Sequence, residues 1–152
     1  MSYLKGIYGK GLVVHCGKIH DYLGMDLDYI KDGKVKVCMI KYLIKVIQAF
    51  PELIKGSASS PAAKYLFKIQ DNNKAVLLPE EQAQVFHHVV AQLLFMSQQA
   101  HRYLQTPTSF LTTRVKEPQE DDWGKLKWVL KYLNSTKHMK LTLSADNLST
   151  IR

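Results

Sequence analysis

At 152 residues and 46% hydrophobic content, the chain is long enough for one domain, or two small lobes, with a real core. No run of about 18 apolar residues occurs, which excludes a transmembrane helix, and Cys16 and Cys38 are too few for a disulfide scaffold. The formal charge of +8, from 21 Lys and Arg against 13 Asp and Glu, favours a polyanionic partner, because neutralised phosphates release counterions. The opening stretch Met1-Ser2-Tyr3-Leu4-Lys5-Gly6 reads as neither a signal peptide nor a transit segment. The expected setting is therefore intracellular, cytoplasmic or nuclear, not secreted and with no membrane partner. The lysines fall in two runs, Lys31, Lys34, Lys36, Lys41 and Lys45, then Lys125, Lys127, Lys131, Lys137 and Lys140. Solvated surface lysine accounts for the same pattern.

In chain order, residues 2–8 suit a short helical turn and 12–16 (LVVHC) a short strand closed by Gly17. The stretch 19–29 alternates. As one strand, it puts Asp21, Leu23, Met25, Leu27 and Tyr29 on one face and His20, Tyr22, Gly24, Asp26 and Asp28 on the other. Asp32-Gly33 is a strong hairpin dipeptide, and 35–39 alternates again, so 19–39 predicts a β-hairpin with one buried face. Residues 40–50 switch to helical spacing, with Ile40, Leu43, Ile44, Ile47 and Phe50 as the apolar stripe and Lys41 and Lys45 on the wet side. Pro51 ends that helix.

Residues 55–78 hold Gly56, Pro61 and Asn72-Asn73 and predict a long connection, with a short helix near AAKYLF. A connection of this length is expected to lie across another surface. Pro79-Glu80-Glu81 opens a helix to about Gln99 whose core face is Phe86, Val89, Val90, Leu93 and Leu94. Residues 100–115 have helical spacing but contain Pro107, which kinks a helix interior. The last helix, 119–133, has acids in its first turn and the stripe Trp123, Leu126, Val129, Leu130 and Leu133; a strand over 139–144 follows. The expected fold class is α+β, an N-terminal β-hairpin, then three to four packed helices and a short C-terminal strand.

Four groups of residues bear on chemistry. Asp26 and Asp28 lie about 7 Å apart on one strand face, a spacing that suits a divalent metal if His20 supplies a third ligand, as in a small nuclease. Cross-strand pairing with Lys34 and Lys36 explains the same pattern. His87-His88 diverge by about 100° on a helix and cannot share a metal. Cys16, Cys38, His15 and His20 lack zinc spacing. Trp128, out of phase with the apolar stripe and amid Lys125, Lys127 and Lys131, either lies against a sugar or base or packs against another lobe. No Gly-x-Ser-x-Gly elbow and no Gly-rich phosphate loop is present.

Three blocks together resemble one family. GKIHDYLGMDLDY…GKVKVCMIKYL resembles the segment just after the catalytic motif of copia-type retrotransposon reverse transcriptases. FHHVVAQLLFMSQQAHRYLQTPTSFLTTRV is similar to the family's next helical block, and DDWGKLKWVLKYLNSTKHMKLTLS to its Trp-x-x-x-Lys-Arg-Ile/Val-Leu-Arg/Lys-Tyr-Leu-Lys-Gly-Thr helix. The resemblance implies an end-of-palm hairpin at 1–40 and a helical thumb or connection region at 41–152. It implies Tyr22, Leu23, Gly24 and Met25 as a primer-grip-like hairpin, and Lys125, Lys127, Trp128 and Lys131 on a helix beside an RNA/DNA template–primer duplex. The family's Tyr-x-Asp-Asp pair is absent here, so the expectation is a fragment with no catalytic residue and no cofactor of its own. Magnesium, the missing palm and fingers, and the RNase H segment belong to the whole family enzyme. The alternative expectation is a non-binding remnant, or an assembly piece with apolar surface exposed on Leu23, Met25 and Leu27. The chain departs from the family at His101-Arg102-Tyr103, in place of Arg-Pro-Asp. It also departs at Pro107, at Trp128, and at Ser135 where a left-handed glycine is usual. Those departures predict costs of about 3 kcal/mol at Pro107 and about 1 kcal/mol at Ser135.

Overall fold

The structure, a computed structural model, describes residues 6–7, 9, 16–31, 33–70 and 75–145, without the side chains of Ile30 and Lys31. The expected turn over 2–8 and strand over 12–16 lie, apart from residues 6, 7 and 16, outside the described residues. The fold is α+β: among the described residues, one four-stranded antiparallel sheet in the order β1-β2-β3-β4, with four α-helices. Strands β1 (Ile19–Tyr22), β2 (Met25–Lys31) and β3 (Lys34–Cys38) form a meander. Strand β4 (Leu141–Ser144) returns from the far end of the chain to pair with β3, Val37 opposite Leu141 and Lys34 opposite Ser144. The C-terminal strand thus completes the N-terminal sheet.

The stretch 19–29 is not one strand. It reverses at Leu23-Gly24, so that Tyr22 pairs with Met25 and Asp21 with Asp26. Both turn residues have positive φ, 51° at Leu23 and 74° at Gly24, as a two-residue type I′ turn requires. The second reversal follows at Gly33, φ 74°, where Asp-Gly predicted one.

Helix α1 (Ile40–Ala49) ends before Pro51 as expected, but its buried residues are Leu43 and Val46, while Ile44 is 43% exposed. With Met39 and Phe50 these make a stripe at spacing 4, 3, 4, which satisfies the helical period as well as the expected one does. Helix α2 (Glu80–Gln99) begins after Pro79 and buries Phe86, Val89, Val90, Leu93 and Met96; Leu94 is only half-buried. A 3-10 turn (Arg102–Leu104) leads into α3 (Gln105–Thr113). Pro107 is the third residue of α3, within the first turn, where its missing N–H has no intrahelical partner to lose. The predicted kink and its cost therefore do not arise.

Helix α4 (Glu120–Ser135) buries the expected Trp123, Leu126, Val129, Leu130 and Leu133. It opens with a reciprocal capping box between Gln119 and Asp122. It closes without a left-handed residue: Thr136 has φ −109°, and the Ser135 and Thr136 hydroxyls both donate to the Tyr132 carbonyl at 2.8 Å. The penalty predicted at Ser135 is absent for that reason. Met25 and Val37 of the sheet join Leu43, Phe86, Leu93, Leu126 and Leu130 in one core cluster, so packing continues across the change of secondary structure near residue 40.

The long connection forms turns at 64–67 instead of a helix, with the Leu66 and Lys68 amides donating to the Ala63 and Tyr65 carbonyls at 2.9 and 3.0 Å. It does lie across another surface, that of α4. Its own Ala58, Ala63 and Leu66 are buried. The Leu78 amide donates to the Pro118 carbonyl at 2.9 Å, and Glu120 to Val76 at 3.0 Å, which stitches the strap's end to the start of α4. No helix among the described residues is long and apolar enough to cross a membrane.

Candidate nucleic-acid interface

The four hairpin residues form the β1–β2 turn and its flanks. Tyr22 is 59% and Leu23 60% exposed, whereas Met25 is buried in the core. Gly24 is required twice over. Its φ is positive, and a Cβ there would approach Tyr42 Cδ2 of α1 to 3.3 Å. Leu23 holds a similar conformation with a full side chain, at a cost of about 1 kcal/mol. Of the apolar trio Leu23, Met25 and Leu27, only Leu23 is exposed, since Leu27 is half-buried against the core.

The turn also corrects the faces. Directly opposite residues of antiparallel strands share a side, so Asp21 joins Asp26 and Asp28 on the open face of the sheet. His20, opposite Leu27, falls on the inner side, where its ring packs edge-on to Tyr29 at 5.7 Å. Its Nε2 is 2.9 Å from the Gly17 carbonyl. His20 therefore does not complete a metal site with Asp26 and Asp28. No group of three or more His, Cys, Asp or Glu able to hold a metal is assembled among the described residues.

The predicted cross-strand ion pairs with Lys34 and Lys36 do not form. Asp28 is opposite Lys36, but Asp26 faces Cys38 and takes its charge partner, Lys41, from α1 at 3.0 Å. That hydrogen bond raises the Lys41 pKa. Lys34 pairs in register with Lys31 rather than with an acid. His87 and His88 are both exposed.

On α4 the sequence expectation and the geometry diverge. The Lys125 side chain is fully buried, and its ammonium donates to the Lys68 carbonyl at 2.6 Å and to Asp121 Oδ2 at 2.7 Å. It also lies 3.5 Å from Asp122 Oδ1 and 5.0 Å from the centre of the Phe110 ring. With three N–H groups so engaged, Lys125 has none left for a phosphate. Asp122 is buried as well and accepts from Arg114 Nε at 3.1 Å and from the Gln119 amide at 3.1 Å. The signal was present in the sequence: Asp121 and Asp122 stand four and three residues before Lys125 on one helix.

Lys127 is half-buried and ion-paired with Glu52, which also accepts from Trp123 Nε1 at 2.7 Å. The Lys127 hydrogen bond, then that of Trp123, lowers the Glu52 pKa. Trp128 packs against the strap: its Nε1 donates to the Ser60 carbonyl at 2.9 Å and its ring meets Tyr65 edge-on at 6.4 Å. Lys131 is half-buried. The structure thus brings Lys125, Lys127 and Trp128 together as anchors of the strap.

At His101-Arg102-Tyr103, the two aromatics meet each other. His101 Nδ1 and the Tyr103 hydroxyl share a 2.6 Å hydrogen bond. Burial lowers the His101 pKa and raises that of Tyr103, the latter offset in part by a hydrogen bond with Thr136. No family model, curated protein or solved structure matches this chain.

Proposed function

We propose that this chain is a piece of a copia-type reverse transcriptase that keeps a surface for a template–primer duplex but carries out no polymerisation alone. The observation that carries the reading is the hairpin tip. A strained leucine in a two-residue turn backed by Tyr42, and the tyrosine beside it, stand exposed to solvent. Strain of this kind persists where the surroundings impose it, and it clusters at ligand-contacting positions. The excess of cations supplies the sequence-independent attraction. Within α4, Lys131 is the cation of the original set that stays outside an ion pair among the described residues.

The test is a salt titration of binding to a labelled RNA/DNA primer–template by fluorescence anisotropy. The expected result is affinity that falls steeply with salt, weakens in Tyr22→Ala/Leu23→Ala, and comes without nucleotide incorporation. Metal-dependent DNA synthesis by the chain alone, or no binding at any salt, would overturn it.

A second reading, an assembly piece that does not bind nucleic acid, is favoured by the strap. Leu53, Phe67, Ile69, Val76 and Leu77 are each more than half exposed along it. It predicts self-association in sedimentation and no anisotropy change.

A further inference from the structure

The open face of the sheet carries a second feature, independent of the hairpin tip. Asp26 and Asp28 of β2, Lys36 and Cys38 of β3, Lys41 of α1 and Lys140 just before β4 line a cleft of about 350 Å³. Its charges are sorted by strand. The acids stand on β2, and the lysines on β3, on α1 and beside β4. Lys41 is already tied to Asp26. Asp28, Lys36 and Lys140 take part in no ion pair among the described residues, although Asp28 and Lys36 are opposite each other across neighbouring strands. One carboxylate, a hydrogen-bond acceptor, and two cations thus face one concavity outside any ion pair among the described residues.

A cleft near the lower end of the ligand-pocket range, roughly 300–1,000 Å³, suits a small molecule rather than a chain. Two ammoniums call for a dianion, and a free carboxylate calls for hydroxyl donors beside it. We propose that this cleft binds a phosphorylated sugar, with the phosphate between Lys36 and Lys140 and sugar hydroxyls donating to Asp28. The same chemistry is offered by a free sugar phosphate and by the phosphorylated end of a nucleic acid.

Cys38 in the cleft and exposed Cys16 outside it provide a built-in readout. Both are alkylated with iodoacetamide in phosphate-free buffer and followed by mass spectrometry. Ribose 5-phosphate at about ten times its Kd is expected to slow Cys38 labelling about ten-fold by occupying the cleft, and to leave Cys16 unchanged. Ribose alone gives no protection and inorganic phosphate only part of it. Lys36→Gln/Lys140→Gln abolishes protection, and Asp28→Asn reduces that by ribose 5-phosphate to the level of inorganic phosphate. A 5′-phosphorylated oligonucleotide that protects where its unphosphorylated twin does not identifies the nucleic-acid end as the source. Protection by ribose 5-phosphate alone identifies the free compound. Equal protection by inorganic phosphate, protection that survives in the lysine variant, or none at all overturns the proposal. Tyr22→Ala/Leu23→Ala leaves Cys38 protection intact, so this site and the hairpin tip fail or stand separately.

Discussion

The lysines of α4 and those of the sheet carry the same charge, yet the fold uses them in opposite ways. On α4, Lys125 and Lys127 meet carboxylates and a strap carbonyl and are spent on holding 51–70 in place. On the sheet, Lys36 and Lys140 face a cleft and engage no acid among the described residues. The difference lies in what covers each surface. A long connection drapes over α4, and burying an ammonium there demands acceptors at once. Nothing comparable covers the open face of the sheet among the described residues, and Lys36 and Lys140 there are exposed. A cation count locates charge; only the neighbours decide whether the charge is a fastener or a contact.

Four experiments break or sharpen this contrast. The largest effect belongs to Lys125→Ala, which removes a fully buried ammonium from Asp121, Asp122 and the Lys68 carbonyl, while Asp122 keeps Arg114. Urea denaturation is expected to show a loss of roughly 2–4 kcal/mol. Lys36→Ala on the sheet should change stability by no more than about 0.5 kcal/mol in the same assay, because an exposed lysine leaves nothing unpaired. Equal effects at the two positions would erase the distinction.

Next comes Trp128→Phe. It leaves the Ser60 carbonyl without its donor, and a loss of about 1 kcal/mol is expected, together with faster proteolysis within 55–70. At the hairpin tip, Leu23→Gly removes the left-handed strain. A gain of up to about 1 kcal/mol in thermal unfolding is expected, with weaker duplex binding if the tip is a contact. Stability lost at that site would show that Leu23 is there for packing.

The smallest effect is in pH. Burial favours neutral His101, so its folded pKa lies below the ordinary value near 6.5. The unfolded chain then binds more protons as pH falls through that value, and stability declines on the acid side of about 6.5. His101→Gln should flatten the decline between pH 7 and 5.

Much of the fold was legible locally. The α2 and α4 boundaries followed from Pro79, the acids of each first turn and the apolar period, and the second reversal from Asp32-Gly33. Pro107 misled because its cost depends on where the helix begins, and that is set by packing of the 3-10 turn at Leu104, which is fully buried. The buried face of α1 was ambiguous for a similar reason. Ile40, Leu43, Ile44, Val46 and Ile47 surround most of the helix, and two stripes fit one period.

The candidate site was less legible than the elements. Alternation across 19–29 is the same whether the chain runs straight or turns at Leu23-Gly24, since a two-residue reversal keeps the polar and apolar pattern plausible on both arms. It moves Asp21 to the face of Asp26 and Asp28, and His20 away from it.

By itself the sequence determined the α+β class, the positions of α1, α2 and α4 and the excess of positive charge, because these depend on spacing and composition within short windows. The tertiary structure decided that β4 closes the first sheet, that the strap covers α4, and which lysines are spent. These outcomes depend on contacts between residues such as Lys68 and Lys125, or Ser60 and Trp128, that lie far apart in the chain. Burial of a charge or an indole takes its value from the partner that fold brings to it.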